Sequence, residues 1–129
     1  MQTLLALDRG NGIADALSAV TRNAIGSSVV INPILTATVS PAMAGFTGMT
    51  SSIARQLLTV ARLLEARQTL GLRRQIFFVS QGGYDTHSAQ LSVQNNLLTD
   101  LGNALAAFYT ATETLGIAEK VTAFTASDF

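Results

Sequence analysis

The chain has 129 residues, enough for one small domain but too few for two full domains. Apolar residues make up 48% of the chain and charged residues only 12%, about half the usual ~25% of soluble domains, and the mean hydropathy is +0.36. Eight basic residues balance eight acidic ones and cysteine is absent, which argues against nucleic-acid binding and excludes disulfides and thiolate metal sites.

The first 50 residues are predicted to be a helical and loop region. Apolar spacing predicts a helix over residues 13–24, followed by a break at Gly26-Ser27-Ser28. From Val29 to Thr50, β-branched residues interrupted by proline and glycine predict short extended pieces and loop. An irregular stretch of this length is unusual in a small domain and is often functional or covered by another part of the protein.

Residues 51–129 are predicted to form a helix, a strand, a second helix and a second strand. The first helix begins at Ser51 or Ser52 and ends before Gly71. Its apolar stripe consists of Ile53, Leu57, Val60 and Leu64. Continuous apolar runs predict strands at about 75–80 and 120–126, and an amphipathic pattern predicts a crossover helix at about 92–115. The predicted fold class is therefore α/β, with a parallel βαβ unit.

Polar side chains follow each predicted strand. Asp85 and His87 come after the first strand, behind the pair Gly82-Gly83, and Asp128 comes after the second. Ligands bind at the carboxyl ends of parallel strands, so these three side chains are expected to converge if the strands are neighbours. Two carboxylates and an imidazole are a suitable ligand set for a divalent metal ion.

Simpler interpretations explain the same residues. Gly-Gly followed by Asp is also an ordinary loop, and Asp85 could cap the following helix. His87, the only histidine, could make a simple polar contact, and Asp128 could cap a further helix. A catalytic triad using Ser127 and His87 is conceivable, although no oxyanion-binding element is identifiable.

The segment from Ile76 to His87 reads Ile-Phe-Phe-Val-Ser-Gln-Gly-Gly-Tyr-Asp-Thr-His and resembles the hallmark of the domain-of-unknown-function 1501 family. The helix that follows it, the stretch from Val121 to Phe129, and the upstream helix with Ile53-Ala54-Arg55-Gln56-Leu57 are similar to that family too. The resemblance is good over about residues 45–129 and weak over 1–44. This bacterial family is a branch of the alkaline phosphatase/sulfatase superfamily.

The resemblance implies a partial alkaline-phosphatase-like sandwich with a central sheet, spanning residues 1–129 as a piece of one domain. Proteins of that superfamily hydrolyse phosphate or sulfate esters with two divalent cations, such as zinc, calcium, magnesium or manganese. Asp85 and His87 would match one ligand-bearing loop, and Asp128 would match the acidic residue after a later strand. Related hydrolases have histidine where this chain has Phe129, so that ligand of a second metal ion is replaced here. No residue is identified as the nucleophile.

The leading hypothesis is an internal fragment of a metal-dependent hydrolase-like protein whose substrate is a small-molecule or polymer ester. The alternative is a catalytically silent member of the superfamily that acts as a binding or assembly protein. A third reading is an unrelated α/β domain with a loop histidine. A partner from the domain-of-unknown-function 1800 family would suit a binding role, because the two families are often encoded side by side. The resemblance implies a periplasmic or secreted location, while the chain itself reads as having no export signal and no membrane span.

Overall fold

In the computed structural model, residues 12–127 are described, and the chain divides into two compact units between Ala37 and Thr38. The first unit contains helix α1, Gly12–Thr36. The second contains α2 (Ser52–Glu65), the short α3 (Arg67–Leu70) and α4 (Gln90–Thr114), with 3-10 helices at Pro41–Phe46 and Ala118–Lys120. Among these helices, none combines the length and the apolar character that a membrane crossing requires.

Helix α1 is longer than the sequence predicts. It continues for 12 residues beyond the expected end at residue 24, through Gly26, Val29-Val30-Ile31 and Pro33, so the extended pieces expected there are wrong. Polar side chains on this helix bond back to groups four residues earlier, for example Thr36 Oγ1 to the Asn32 carbonyl at 2.8 Å. These bonds give the polar side chains partners within the helix itself.

Helices α2 and α4 and the Pro41–Phe46 3-10 helix form the core of the second unit. One face of α4 is buried through small side chains, with Ala104 and Ala111 fully buried, and the 3-10 helix contributes Met43 and Phe46. Because these side chains are small, the backbones of α4 and the 3-10 helix can approach each other closely. The core cluster comprises Met43, Phe46, Ile53, Ala54, Leu57, Val60, Ala61, Ala104, Ala107, Phe108 and Ala111.

Helix α2 confirms the periodicity of its sequence. Ser51 is the N-cap, and its side chain accepts a hydrogen bond from the Ala54 N–H at 3.4 Å. The predicted stripe faces the core, with Ile53, Leu57 and Val60 buried and Leu64 packed against the cluster. After α3, Gly71 adopts the left-handed conformation with φ 65°, as a helix-terminating glycine is expected to do.

The predicted α/β class is wrong for the part of the chain that the structure describes. Within residues 12–127 there is no strand and no sheet, so residues 75–80 and 120–126 are not strands of a parallel βαβ unit, and the expected partial alkaline-phosphatase-like sandwich is wrong as well. The crossover helix exists as α4, but residue 120 ends a 3-10 helix, and no backbone-to-backbone bond involves residues 73–88 or 122–126. A strand requires a partner ladder, whereas Phe77 and Val79 of the first segment pack against helices and residues 122–126 are exposed.

The segment 75–81 nevertheless alternates like a strand. Phe77 and Val79 are half-buried and pack against the helical core, whereas Ile76 and Phe78 are 99% and 91% exposed. This period of two is the signature of extended backbone. The continuous apolar run therefore has one face on the core and one open face, rather than the two buried faces that its sequence predicts.

Candidate functional site

The candidate site is the loop 82–87, which connects the extended segment to α4. Gly83 adopts φ 95°, a conformation that side-chain-bearing residues rarely take, and so this glycine allows the sharp turn. A Cβ added at Gly83 would lie 3.6 Å from Leu97 Cδ1 of α4, in ordinary contact. The constraint at this position is therefore the backbone conformation and not the space.

Two glutamines fix the start of this loop. The Gln56 carboxamide on α2 forms two hydrogen bonds with the backbone of Ser80, accepting from its N–H at 3.0 Å and donating to its carbonyl at 2.8 Å. The Gln81 side chain donates to the Leu97 carbonyl at 3.0 Å and accepts from the Tyr84 hydroxyl at 3.1 Å. Ser80 is thus attached to α2, and the next residue, Gln81, is attached to α4.

Asp85 and His87 lie side by side at the outer end of the loop. His87 Nε2 is 3.5 Å from Asp85 Oδ2, and the two side chains are 90% and 66% exposed. Neighbouring ligand atoms around a tetrahedral ion with bonds of ~2.0–2.2 Å are separated by about the same distance. The spacing and the chemistry of this nitrogen–oxygen pair fit one edge of a divalent metal site.

The structure brings together two of the three predicted ligands. Asp128 lies outside the described residues, so its convergence with Asp85 and His87 stays a prediction. In residues 12–127, no group of three or more His, Asp or Glu side chains is close enough to hold an ion. Ser127 is exposed at the end of the described range, and its proposed partnership with His87 also stays a prediction.

The capping interpretation of Asp85 is wrong. The N-cap of α4 is Ala89, with φ 52° and no side-chain capping bond. Asp85 lies four residues before that position, and its contact is with His87. The carboxylate is therefore free of a helix-capping role.

Sequence reasoning missed the part that Gln56 plays. Its contact with Ser80 spans 24 residues, and a glutamine next to a helix stripe has no distinctive spacing. The available signal was its position beside the apolar stripe of α2, where a half-buried amide needs hydrogen-bond partners.

Comparison with known proteins identifies the family of the chain but gives no activity, substrate or partner. No curated protein and no solved structure matches the chain. The family model described as "Protein of unknown function (DUF1501)" matches residues 34–129, about three quarters of the sequence. The match includes α2, the extended segment, the loop with Asp85 and His87, and α4. The chain belongs to the DUF1501 family.

Proposed function

We propose that the 82–87 loop is a ligand-bearing element of a divalent metal site in a hydrolase-like protein. The observation that supports this proposal is the 3.5 Å separation of His87 Nε2 and Asp85 Oδ2, both open to solvent. An imidazole and a carboxylate are ligands that zinc and manganese accept readily. Asp128 is proposed as a third ligand because it matches the acidic residue of the Val121 to Phe129 stretch that resembles the family.

The proposed substrate class is a phosphate or sulfate ester. A metal ion held here would supply Lewis-acid polarisation of an ester oxygen. In this proposal Asp85 and His87 hold the ion, and their exposure leaves the remaining coordination positions open to substrate or water. The superfamily placement, the periplasmic or secreted location and the ester substrate all belong to this proposal.

A single histidine makes the metal proposal easy to test. The chain is prepared without a histidine tag, so the ring protons of His87 are the only imidazole signals in its NMR spectrum. Titration with Mn²⁺ should broaden these signals, and Zn²⁺ should shift them. Binding is expected to be weak, because the described residues bring only two ligands together. His87→Ala should remove the Zn²⁺-dependent heat in calorimetry, and Asp85→Asn should weaken it.

Asp100→Asn is the matched control. Asp100 is an exposed carboxylate on α4, so its loss changes the net charge as Asp85→Asn does without touching the loop. Equal weakening by both substitutions would mean that binding is only a general charge effect, which would contradict the proposal. Turnover of an aryl phosphate and an aryl sulfate, with and without Zn²⁺, then tests the hydrolase assignment separately from metal binding.

The second candidate function is a binding or assembly protein without catalysis. The exposed apolar pair Ile76 and Phe78 favours it, because large apolar side chains grouped at a surface commonly mark interaction sites. Metal binding without turnover of either ester would support this candidate over the hydrolase.

A further inference from the structure

The Gln56 side chain takes the place of a neighbouring strand beside Ser80. In an antiparallel pair, directly opposite residues exchange two N–H···O bonds, and the Gln56 carboxamide makes the same two bonds with the Ser80 backbone. Within residues 12–127, no backbone group provides this pairing. Ser80, one residue before the end of the extended segment, is therefore held by a side chain of α2.

Gln81 attaches the next residue to α4. Its amide group donates to the Leu97 carbonyl, and its carbonyl oxygen accepts from Tyr84, which immediately precedes Asp85. The Tyr84–Gln81 bond closes the turn that contains Gly82 and Gly83. Leu97 also lies beneath Gly83, so one residue of α4 contacts the loop through both its backbone and its side chain.

We propose that Gln56 and Gln81 are positioning residues that hold the Asp85–His87 pair in place relative to α2 and α4. The inference rests on the proposed metal site for its functional meaning, but the attachment itself is independent of any metal. Functional groups need placement to within about 0.5 Å, and exposed loops lack packing that could provide it. Here polar attachments at the base of the loop replace that packing.

Gln56→Leu tests the first attachment, with Gln68→Leu as the matched control. Both substitutions replace a helical glutamine with leucine, but Gln68 is exposed on α3 and away from Ser80. Gln56→Leu should reduce the hydrogen-exchange protection of the Ser80 amide by about 10-fold and shift the Gly82 and Gly83 amide signals. It should also weaken Zn²⁺ binding by about 10-fold, the lower end of the effect of losing a supporting group. The control should change neither.

Gln56→Glu separates positioning from general stability. An ionised carboxylate accepts from the Ser80 N–H but repels the Ser80 carbonyl, whereas a protonated carboxyl group restores both bonds. The carbonyl carbon shift of Ser80, which reports the bond that an ionised carboxylate cannot donate, should differ from that of the parent chain at pH 7 and return towards it near pH 4, where much of the carboxyl group is protonated. A general loss of stability would not be reversed by acid.

Gln81→Leu tests the second attachment, because it removes the amide that donates to the Leu97 carbonyl and accepts from the Tyr84 hydroxyl. It should shift the Gly82 and Gly83 amide signals and leave Ser80 protection intact, since the Gln56 bonds persist. The positioning proposal is overturned if Gln56→Leu leaves Ser80 protection and the glycine signals unchanged. If the parent chain binds no Zn²⁺ while these metal-free signals respond as expected, the metal site fails and the attachment stands.

Discussion

Gly45 lies directly against Ala107, where the 3-10 helix Pro41–Phe46 meets α4. A Cβ built on Gly45 would lie 3.3 Å from both Cα and Cβ of Ala107, closer than most real contacts of this kind. Ala107 is itself 6% exposed, so it has little room to move. The absence of a side chain at residue 45 therefore sets how closely these two elements approach.

Gly45→Leu should destabilise the chain by about 1–3 kcal/mol, because the added side chain forces the two elements apart. Gly102→Leu is the matched control. Gly102 is an exposed residue inside α4 with nothing within 4 Å of an added Cβ, and leucine is a better helix former than glycine. The control should be neutral or stabilising in urea unfolding. Equal destabilisation by both substitutions would contradict the close contact.

The start of α4 offers a second matched pair. Ala89 has φ 52°, the only positive φ of a non-glycine residue in the described range, and a left-handed alanine costs about 1–2 kcal/mol. Ala89→Gly should therefore raise the free energy of unfolding. Ala106→Gly, at an exposed position within the same helix, should lower it by about 1 kcal/mol. Loss of stability in both variants would mean that Ala89 is not held in the left-handed conformation.

The helices could be predicted where their sequence repeats a spacing that only a helix satisfies. Ile53, Leu57 and Val60 recur at steps of four and three, and the structure buries all three. In α1 the same reasoning failed, because Val29-Val30-Ile31 has the β-branched composition of a strand and yet lies inside the helix.

The absence of strands in residues 12–127 could not be predicted, because an apolar run does not show whether a strand or a helix will cover it. Phe77 and Val79 pack against the helical core, so one face of the apolar run 76–79 is partly buried without a sheet. The proximity of Asp85 and His87 followed from their separation of two residues in a loop, and the structure places them together. Their attachment through Gln56 could not be predicted, because it depends on a contact across 24 residues.

Tyr109 provides a test of the surface of α4 at high pH. A hydrogen bond to the Glu113 side chain, together with the negative charge of that carboxylate, raises the pKa of Tyr109 above its ordinary value of 10.0. A raised pKa in the folded state means that this stabilising contribution is present below pH ~10 and is lost as the pH rises through the higher folded value.

Glu113→Gln should lower the pKa of Tyr109 towards 10.0 by removing the charge. The chain has two tyrosines, so a Tyr84→Phe background leaves Tyr109 as the only phenol in an ultraviolet absorbance titration. Asp100→Asn in that background removes a carboxylate elsewhere on α4 and should leave the titration unchanged. An unchanged midpoint in Glu113→Gln would show that the two side chains do not interact.

The open face of the extended segment predicts self-association. Ile76 and Phe78 are exposed on one face, and no backbone-to-backbone bond within residues 12–127 involves residues 75–80. Unpaired extended backbone with apolar side chains is a template for pairing with another chain. Sedimentation velocity at increasing concentration should therefore show dimers or larger species of the 129-residue chain.

Substitution on each face of this segment then identifies the surface responsible. Ile76→Lys combined with Phe78→Lys places charges on the open face, and it should shift the chain towards monomer with little change in the free energy of unfolding. Phe77→Lys places the same charge against the core, and it should destabilise the chain by about 1–3 kcal/mol because it removes a half-buried apolar side chain from the core surface. A parent chain that sediments as a monomer at every concentration would contradict the prediction. Association that persists unchanged in the double variant would place the contact on a different surface, because two repelling positive charges per copy cannot lie in a shared apolar interface.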